Sequence, residues 1–300
     1  MIMRLSLKDT SVRIEGKMAN IKIVTDSAVA LTPEEIKQYD ITVIPLTVQI
    51  DGVVYEDGVT IQRDEFLDKM LKTHSLPQTS QPSIGRFQDV YDSIHEKNPD
   101  SEILSLHISS GLSGTVHAAE QAAALTSAKI TTFDTLNADR SQAFSVLAAA
   151  KMAQDGATMD EILTEVKQVR SDSHTYLSFT SLDNMVAGGR LSKTSGLIGN
   201  LLNIKVGATV DKTGAVEVVA KGRGMKAISK FNDGVISKMQ EYSEMLAIGV
   251  SHAGVPEVAE KMAARLNKIW PDIKIEVTTT GPIISTHTGV GALSILYHAR

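Results

Sequence analysis

The 300-residue sequence contains no cysteine. That excludes a disulfide framework, a zinc–thiolate centre and a cysteine nucleophile, and it agrees with a reducing compartment such as the cytoplasm. Aromatic residues make up only 4% of the chain, and the formal charge is −5. A nucleic-acid binder would carry a basic stripe or stacking rings, so no nucleic-acid partner is expected. No apolar run approaches the ~18 residues needed to span a membrane. The eight histidines show no His-Glu-x-x-His or other ligand spacing, so no metal is expected. Met1 to Asn20 has scattered charges and no apolar segment of the secretory type. Residues 1–20 are set apart as an extension, because Met18 precedes the first clear strand; residues 1–17 carry no functional weight.

What remains is a globular composition, 42% hydrophobic and 22% charged, long enough for two domains. Up to about residue 172, strands and helices alternate. Ile21 to Thr25 reads as a strand. Thr32-Pro33-Glu34-Glu35 starts a helix with a hydroxyl cap, proline at the first position and acids in the first turn. A second strand is read over Ile41 to Ile50, then Val53 to Tyr55 after an Asp51-Gly52 turn. Helices follow at 63–72, 84–97, 114–127, 141–154 and from Thr158 to Arg170, with strands at 102–108 and 129–133. Residues 76–83 read as a loop. Such βαβα order predicts a parallel sheet covered by helices. From 173 onward the pattern changes. A strand is expected over Thr175 to Phe179, helical pieces over 181–187 and 192–201, and a hairpin whose two strands flank Asp211-Lys212-Thr213-Gly214. Helices at 225–240 and 255–267, strands at 246–251 and 273–279, and a final helix from Gly289 complete the chain. The expectation is α/β: an N-terminal parallel-sheet domain (21–172) and a C-terminal α+β domain with a mixed sheet (173–300).

Polar loops that follow strands are the first places to look for a ligand site in such folds. Asp26-Ser27 ends the first strand; it suits a pocket wall and equally an Asx turn. Thr79-Ser80-Gln81-Pro82-Ser83 holds hydroxyls between prolines, suited to an anion or to a plain connector. Ser109-Ser110-Gly111-Leu112-Ser113-Gly114-Thr115 links a strand to a helix, an arrangement that aims backbone N–H groups at an anion. It is neither a P-loop nor a nucleophile elbow, since no Lys-Ser/Thr pair closes it and Thr115 replaces the last glycine. His287, in Thr286-His287-Thr288-Gly289-Val290-Gly291, can pair with a carboxylate or serve as a satisfied structural histidine. His107, His117 and His252 read as structural. Arg190, after Gly188-Gly189, and Arg223, beyond the hairpin, suit an acidic partner or simple solvation.

Taken together, these loops resemble the DegV family of bacterial fatty-acid-binding proteins. Asp26-Ser27, Tyr55-Glu56-Asp57-Gly58, Thr79 to Ser83, Ser109 to Thr115, Gly188-Gly189-Arg190 and His287 to Gly291 occur in the family's order from about Ile21 to Arg300. The resemblance implies a tunnel between two domains that holds one long-chain fatty acid, with no other cofactor. It implies that Thr79, Ser113, Gly114 and His287 bind the carboxylate, supported by Asp26, Ser27, Ser80 and Thr288. It further implies a non-catalytic role: the acyl carboxylate is presented to an ATP-binding fatty acid kinase subunit, docked at Arg190 and Arg223, and becomes an acyl phosphate. A transient contact with a membrane surface belongs to the same expectation.

One stretch departs from the family pattern. Relatives open the Ala-rich helix with a Ser-x-Gly-x-Gly-like run, whereas here Asp134 to Gln142 has no glycine and places Asp139 and Arg140 where the ligand region is expected. Two other readings stay open. One is a serine esterase or thioesterase using Ser113, His287 and Asp183 or Asp134. The other is a binding protein for another small anionic ligand, such as a sugar or nucleotide.

Overall fold

The computed structural model describes residues 20–73, 76–191 and 204–300. β1 (Ile21–Asp26) is the spine of the N-terminal half. It pairs in parallel with β2 (Thr42–Ile44) and with β6 (Glu102–His107), and β6 pairs in parallel with β7 (Lys129–Asp134). The sheet order is therefore β2-β1-β6-β7. Its two faces are both covered, and the apolar residues of β1 and β6 pack on both sides of the sheet. α5 (Asp139–Gln154) and α6 (Met159–Asp172) bury Ala143, Val146 and Ile162 against Ile23, Leu104 and Leu106. α3 (Ile84–Lys97) and α4 (Thr115–Ala123) bury Phe87, Tyr91 and Ala119 against Val24 and Ile103 on the other face. The cap read at α1 (Pro33–Gln38) is complete: the Thr32 hydroxyl accepts from Glu35 N, and the Glu35 carboxylate accepts from Thr32 N.

A small antiparallel sheet flanks this unit. β3 (Thr47–Ile50) pairs with β4 (Val53–Glu56) across the Asp51-Gly52 turn and with β5 (Gln78–Ser80) on its other edge. α2 (Arg63–Lys72) lies between β4 and β5 in the chain. Two expectations change here. The single strand read over Ile41 to Ile50 is two strands in different sheets. Pro45 has no N–H to give a ladder, and the chain leaves the parallel sheet there. The segment read as a loop contains β5, whose three residues gain their order from the β3 edge.

The C-terminal half is a six-stranded mixed sheet in the order β10-β9-β8-β13-β11-β12. These are β8 (Ser173–Phe179), β9 (Ile204–Val210), β10 (Val216–Arg223), β11 (Met245–His252), β12 (Ile275–Thr279) and β13 (Leu293–Ala299). Only β11 and β12 run parallel. α8 (Met225–Met239) and α9 (Pro256–Asn267) cover one face, burying Val235, Met239 and Leu266 against Tyr176, Val250 and Tyr297. α7 (Asp183–Gly188) and α10 (Pro282–Thr288) lie beyond the strand ends. The final helix expected from Gly289 is instead β13, in the middle of the sheet. Every residue of Leu293–Ala299 is buried, and Leu296 interrupts the alternation of Ser294 and His298, so the strand lacks the clear polar alternation that marks one exposed face. The helix expected at 192–201 and the extension at 1–17 lie outside the described residues. An N-terminal parallel-sheet domain and a C-terminal mixed-sheet domain are thus both present.

Candidate ligand cavity

A cavity of about 330 Å³ lies between the two sheets, within the ~300–1,000 Å³ range of small-molecule sites. Its walls are mainly apolar. Leu46, Ile108 and Leu112 come from the N-terminal half, Leu177, Val210, Val216 and Leu296 from the C-terminal half, and Ile283 and Ile284 from α10.

Thr79, Ser80, Ser113, Gly114, Arg190, His287 and Thr288 all line this cavity. The loops read from the sequence therefore converge, although they are far apart in the chain. His287 sits in the last turn of α10, which starts at Pro282, ends at Thr288 and is capped by Gly289. β5 carries Thr79 to it: Thr79 Oγ1 and His287 Nε2 are 2.9 Å apart, and the imidazole tautomer decides which donates. Gly188 makes the arrangement sterically feasible, since a Cβ there would overlap the His287 ring. Burial, assisted by the Arg190 charge, lowers the His287 pKa from 6.5 to about 4. The ring is accordingly neutral, and its Nδ1 is buried without a partner among the described residues. Ser113 Oγ is 2.8 Å from Thr115 Oγ1 at the start of α4, and Gly114 is that helix's N-cap.

Asp26 is sealed behind the cavity. Its carboxylate accepts from Ala28 N (3.0 Å) and Ile108 N (2.8 Å) and lies 3.0 Å from His107 Nδ1. It braces the backbone that presents Ile108. Ser27 Oγ accepts from Leu46 N at 3.0 Å and so fixes another wall residue. The two arginines separate. Arg190 donates to Leu112 O and to Gly188 O and reaches the cavity itself. Arg223 is exposed and pairs with Ile204, at the opposite end of the β9–β10 hairpin from the wall residues Val210 and Val216.

Thr79, Arg190 and His287 also line a second cleft of about 370 Å³, with Pro77, Asn184 and Thr286. The polar end of the cavity is therefore shared with a second opening.

The hydrolase constellation is not assembled. Ser113 and His287 share no hydrogen bond, Asp183 accepts from Ser181 Oγ (2.8 Å), and Asp134 accepts from Leu136 N (2.8 Å). A Ser–His–Asp chain does exist elsewhere: Ser105 Oγ to His107 Nε2 at 2.7 Å, and His107 Nδ1 to Asp26 Oδ2 at 3.0 Å. All three residues are 0% exposed, so no substrate can reach that serine.

The departing stretch divides into two roles. Arg140 turns away from the cavity and clamps Glu35 through bonds of 2.6 and 2.7 Å, tying α5 to α1. Asp139 stays on the cavity wall, with φ +56. Ser251 Oγ and Thr280 Oγ1 donate to its two oxygens at 2.8 and 2.9 Å. Burial pushes its carboxyl above the usual carboxylate range, opposed by those two hydroxyls. Sequence reading also missed a clasp. Ser109 Oγ donates to Gly214 O at 2.8 Å, so the hairpin tip docks on the Gly-Ser loop. Gly214 adopts φ +76, and a Cβ there would overlap the Ser109 hydroxyl. Its only sequence signal was the glycine at the turn.

Among the described residues, no group of three or more His, Asp or Glu is placed to hold a metal ion. No described helix is long and apolar enough to cross a membrane.

The fold and cavity define a two-domain α/β protein with a mainly apolar ligand site between a parallel and a mixed sheet. A family model described as "Uncharacterised protein, DegV family" matches residues 20–300, and the chain belongs to the DegV family. It is 40% identical over 284 residues to a DegV domain-containing protein of Streptococcus pneumoniae, covering 94% of this chain and 100% of that one. It is similar to the crystal structure of DegV from Bacillus subtilis, described as a fatty acid binding protein (TM-score 0.85, 29% identity, 94% and 100% coverage). A fatty-acid-binding DegV family protein of Thermus thermophilus gives a TM-score of 0.84 at 28% identity, with the same coverage.

Proposed function

We propose that this protein binds one long-chain fatty acid in the cavity, with the carboxylate at the Thr79–His287 end. The observation that carries this reading is an apolar cavity ending in a hydroxyl–imidazole pair beside Arg190. Each buried methylene contributes ~0.8 kcal/mol, so the acyl chain supplies much of the affinity. A buried carboxylate needs several donors. Thr79, Ser113, the Gly114 N–H and His287 are assigned that role, with Ser80 and Thr288 beside them and Asp26 and Ser27 bracing the wall. The fatty-acid-binding descriptions of two relatives support the same ligand class.

The protein acts in this reading as a carrier, not a catalyst, and uses no cofactor. It works in the cytoplasm, with transient membrane contact, and divides into units of 21–172 and 173–300. An ATP-binding kinase subunit docks over Arg190 and Arg223 and phosphorylates the carboxylate. The second cleft at Thr79, Arg190 and His287 supports access of that kind.

The test is mass spectrometry of an organic extract of the purified protein. A co-purifying long-chain fatty acid is expected. Its absence, together with no binding of added palmitate or oleate, would refute the assignment.

A further inference from the structure

The cavity contains polar groups that an unsubstituted acyl chain does not use. Along β13, Leu293, Ile295 and Tyr297 pack toward α8 and α9, whereas Ser294 and Leu296 face the cavity. Ser294 is 6% exposed, and its hydroxyl has no hydrogen-bond partner among the described residues. Directly opposite it on β11 stands Ser251, whose hydroxyl donates to Asp139. Thr175, on β8, also lines the cavity; its hydroxyl donates to Ser141 Oγ at 2.7 Å and retains its acceptor lone pairs. Asp139, Thr175 and Ser294 thus form a polar ledge in a mainly apolar wall.

The ledge is separate from the carboxylate end. None of its three residues bonds to Thr79 or His287. The second cleft shares Thr79, Arg190 and His287 but none of the ledge residues. A plain alkyl chain lying here would leave the Ser294 hydroxyl desolvated and unpaired, which is unfavourable, and would offer nothing to the remaining lone pairs of Asp139, whose two oxygens already accept from Ser251 and Thr280. A hydroxyl on the chain would both donate and accept at this position, matching a carboxylate acceptor on one side and a serine hydroxyl on the other.

We propose that the ledge of Asp139, Thr175 and Ser294 is a specificity site for a hydroxyl carried on the acyl chain, so that the preferred ligands are hydroxylated long-chain fatty acids. This rests on the fatty-acid reading above and names the ligand class within it.

The experiment measures dissociation constants of the intact chain by competition with a fluorescent fatty acid. The probes are stearate, 10-hydroxystearate and 12-hydroxystearate, together with palmitate and 16-hydroxypalmitate. At least one hydroxylated probe should bind about three- to tenfold more tightly than its parent, the value of one net hydrogen bond. Ser294→Ala should bring that ratio to about one, and Asp139→Asn should change which probe is favoured, because an amide donates where a carboxylate only accepts. If stearate and palmitate bind while every hydroxylated probe binds equally or less tightly, the ledge assignment is overturned and the fatty-acid reading stands. An unchanged ratio in Ser294→Ala overturns it too. If no probe of either kind binds, the fatty-acid reading itself fails.

Discussion

His287 provides the sharpest quantitative test, because its environment makes protonation costly in a way the unfolded chain does not share. Burial and Arg190 bring its folded pKa to about 4, against 6.5 for the free side chain. Above pH 6.5 both folded and unfolded forms are neutral, and the residue contributes no pH dependence. As pH falls below 6.5 the unfolded chain takes up a proton that the folded chain refuses. Stability is therefore lost progressively between pH 6.5 and 4, and the loss reaches about 2–3 kcal/mol by pH 4.5. Other histidines, such as His174 and His252, are also lowered by burial, so the wild-type curve alone does not isolate the effect. The informative quantity is the difference between wild type and His287→Asn, in which the other groups cancel. Urea unfolding at pH 7.5, 6.5, 5.5 and 4.5 should show that difference shifting by about 2–3 kcal/mol in favour of the variant as pH falls. Parallel curves for the two proteins would refute the reasoning. Bound fatty acid sharpens the test, since a carboxylate beside the ring favours imidazolium. Saturating palmitate should shrink the acid-side difference, and an unaltered difference would place the carboxylate elsewhere in the cavity.

Three further outcomes follow from other parts of the molecule. Thr79→Ala should weaken palmitate binding by about 1–3 kcal/mol, because it removes a partner of the carboxylate and of His287; calorimetric titration checks this, and an unchanged affinity removes Thr79 from the site. Glu35→Gln should destabilise the fold by about 3 kcal/mol, because it leaves the nearly buried Arg140 guanidinium without its anion; an unfolding midpoint within error of wild type would show the clamp to be idle. Burial raises the Asp57 pKa from 3.8 to about 7, despite the Ser27 hydrogen bond and the nearby Arg63 charge. Its ionisation therefore opposes folding as pH rises from 4 to 8, and Asp57→Asn should gain on wild type by about 3–4 kcal/mol over that range. A pH-independent difference between the two proteins would contradict this.

What the sequence made legible was what local chemistry decides. The Thr32-Pro33-Glu34-Glu35 cap, the Asp51-Gly52 turn and the hairpin around Asp211 to Gly214 each depend on a few neighbouring residues, and each is present as read. β5 and β13 were not legible for the same reason in reverse. Three residues at Gln78 become a strand only because β3 offers an edge, and Leu293–Ala299 shows only a broken alternation, interrupted at Leu296, because both of its faces are covered. The site follows this division. Thr79, Ser113 and His287 were marked by hydroxyl-rich and glycine-rich loops, and all three line one cavity. Ser294 carries no such mark: it is one serine in a largely apolar strand, and its exposure to the cavity is set by the register of β13 against β8 and β11. Asp139 stood out in sequence only as a departure from a family pattern. Its role depends on Ser251 and Thr280, more than a hundred residues away, which fix a carboxylate in the cavity wall. The glycine-poor opening of α5 therefore does two things at once. Arg140 locks that helix to α1 outside the cavity, and the rigid placement that results holds the Asp139 carboxylate inside it.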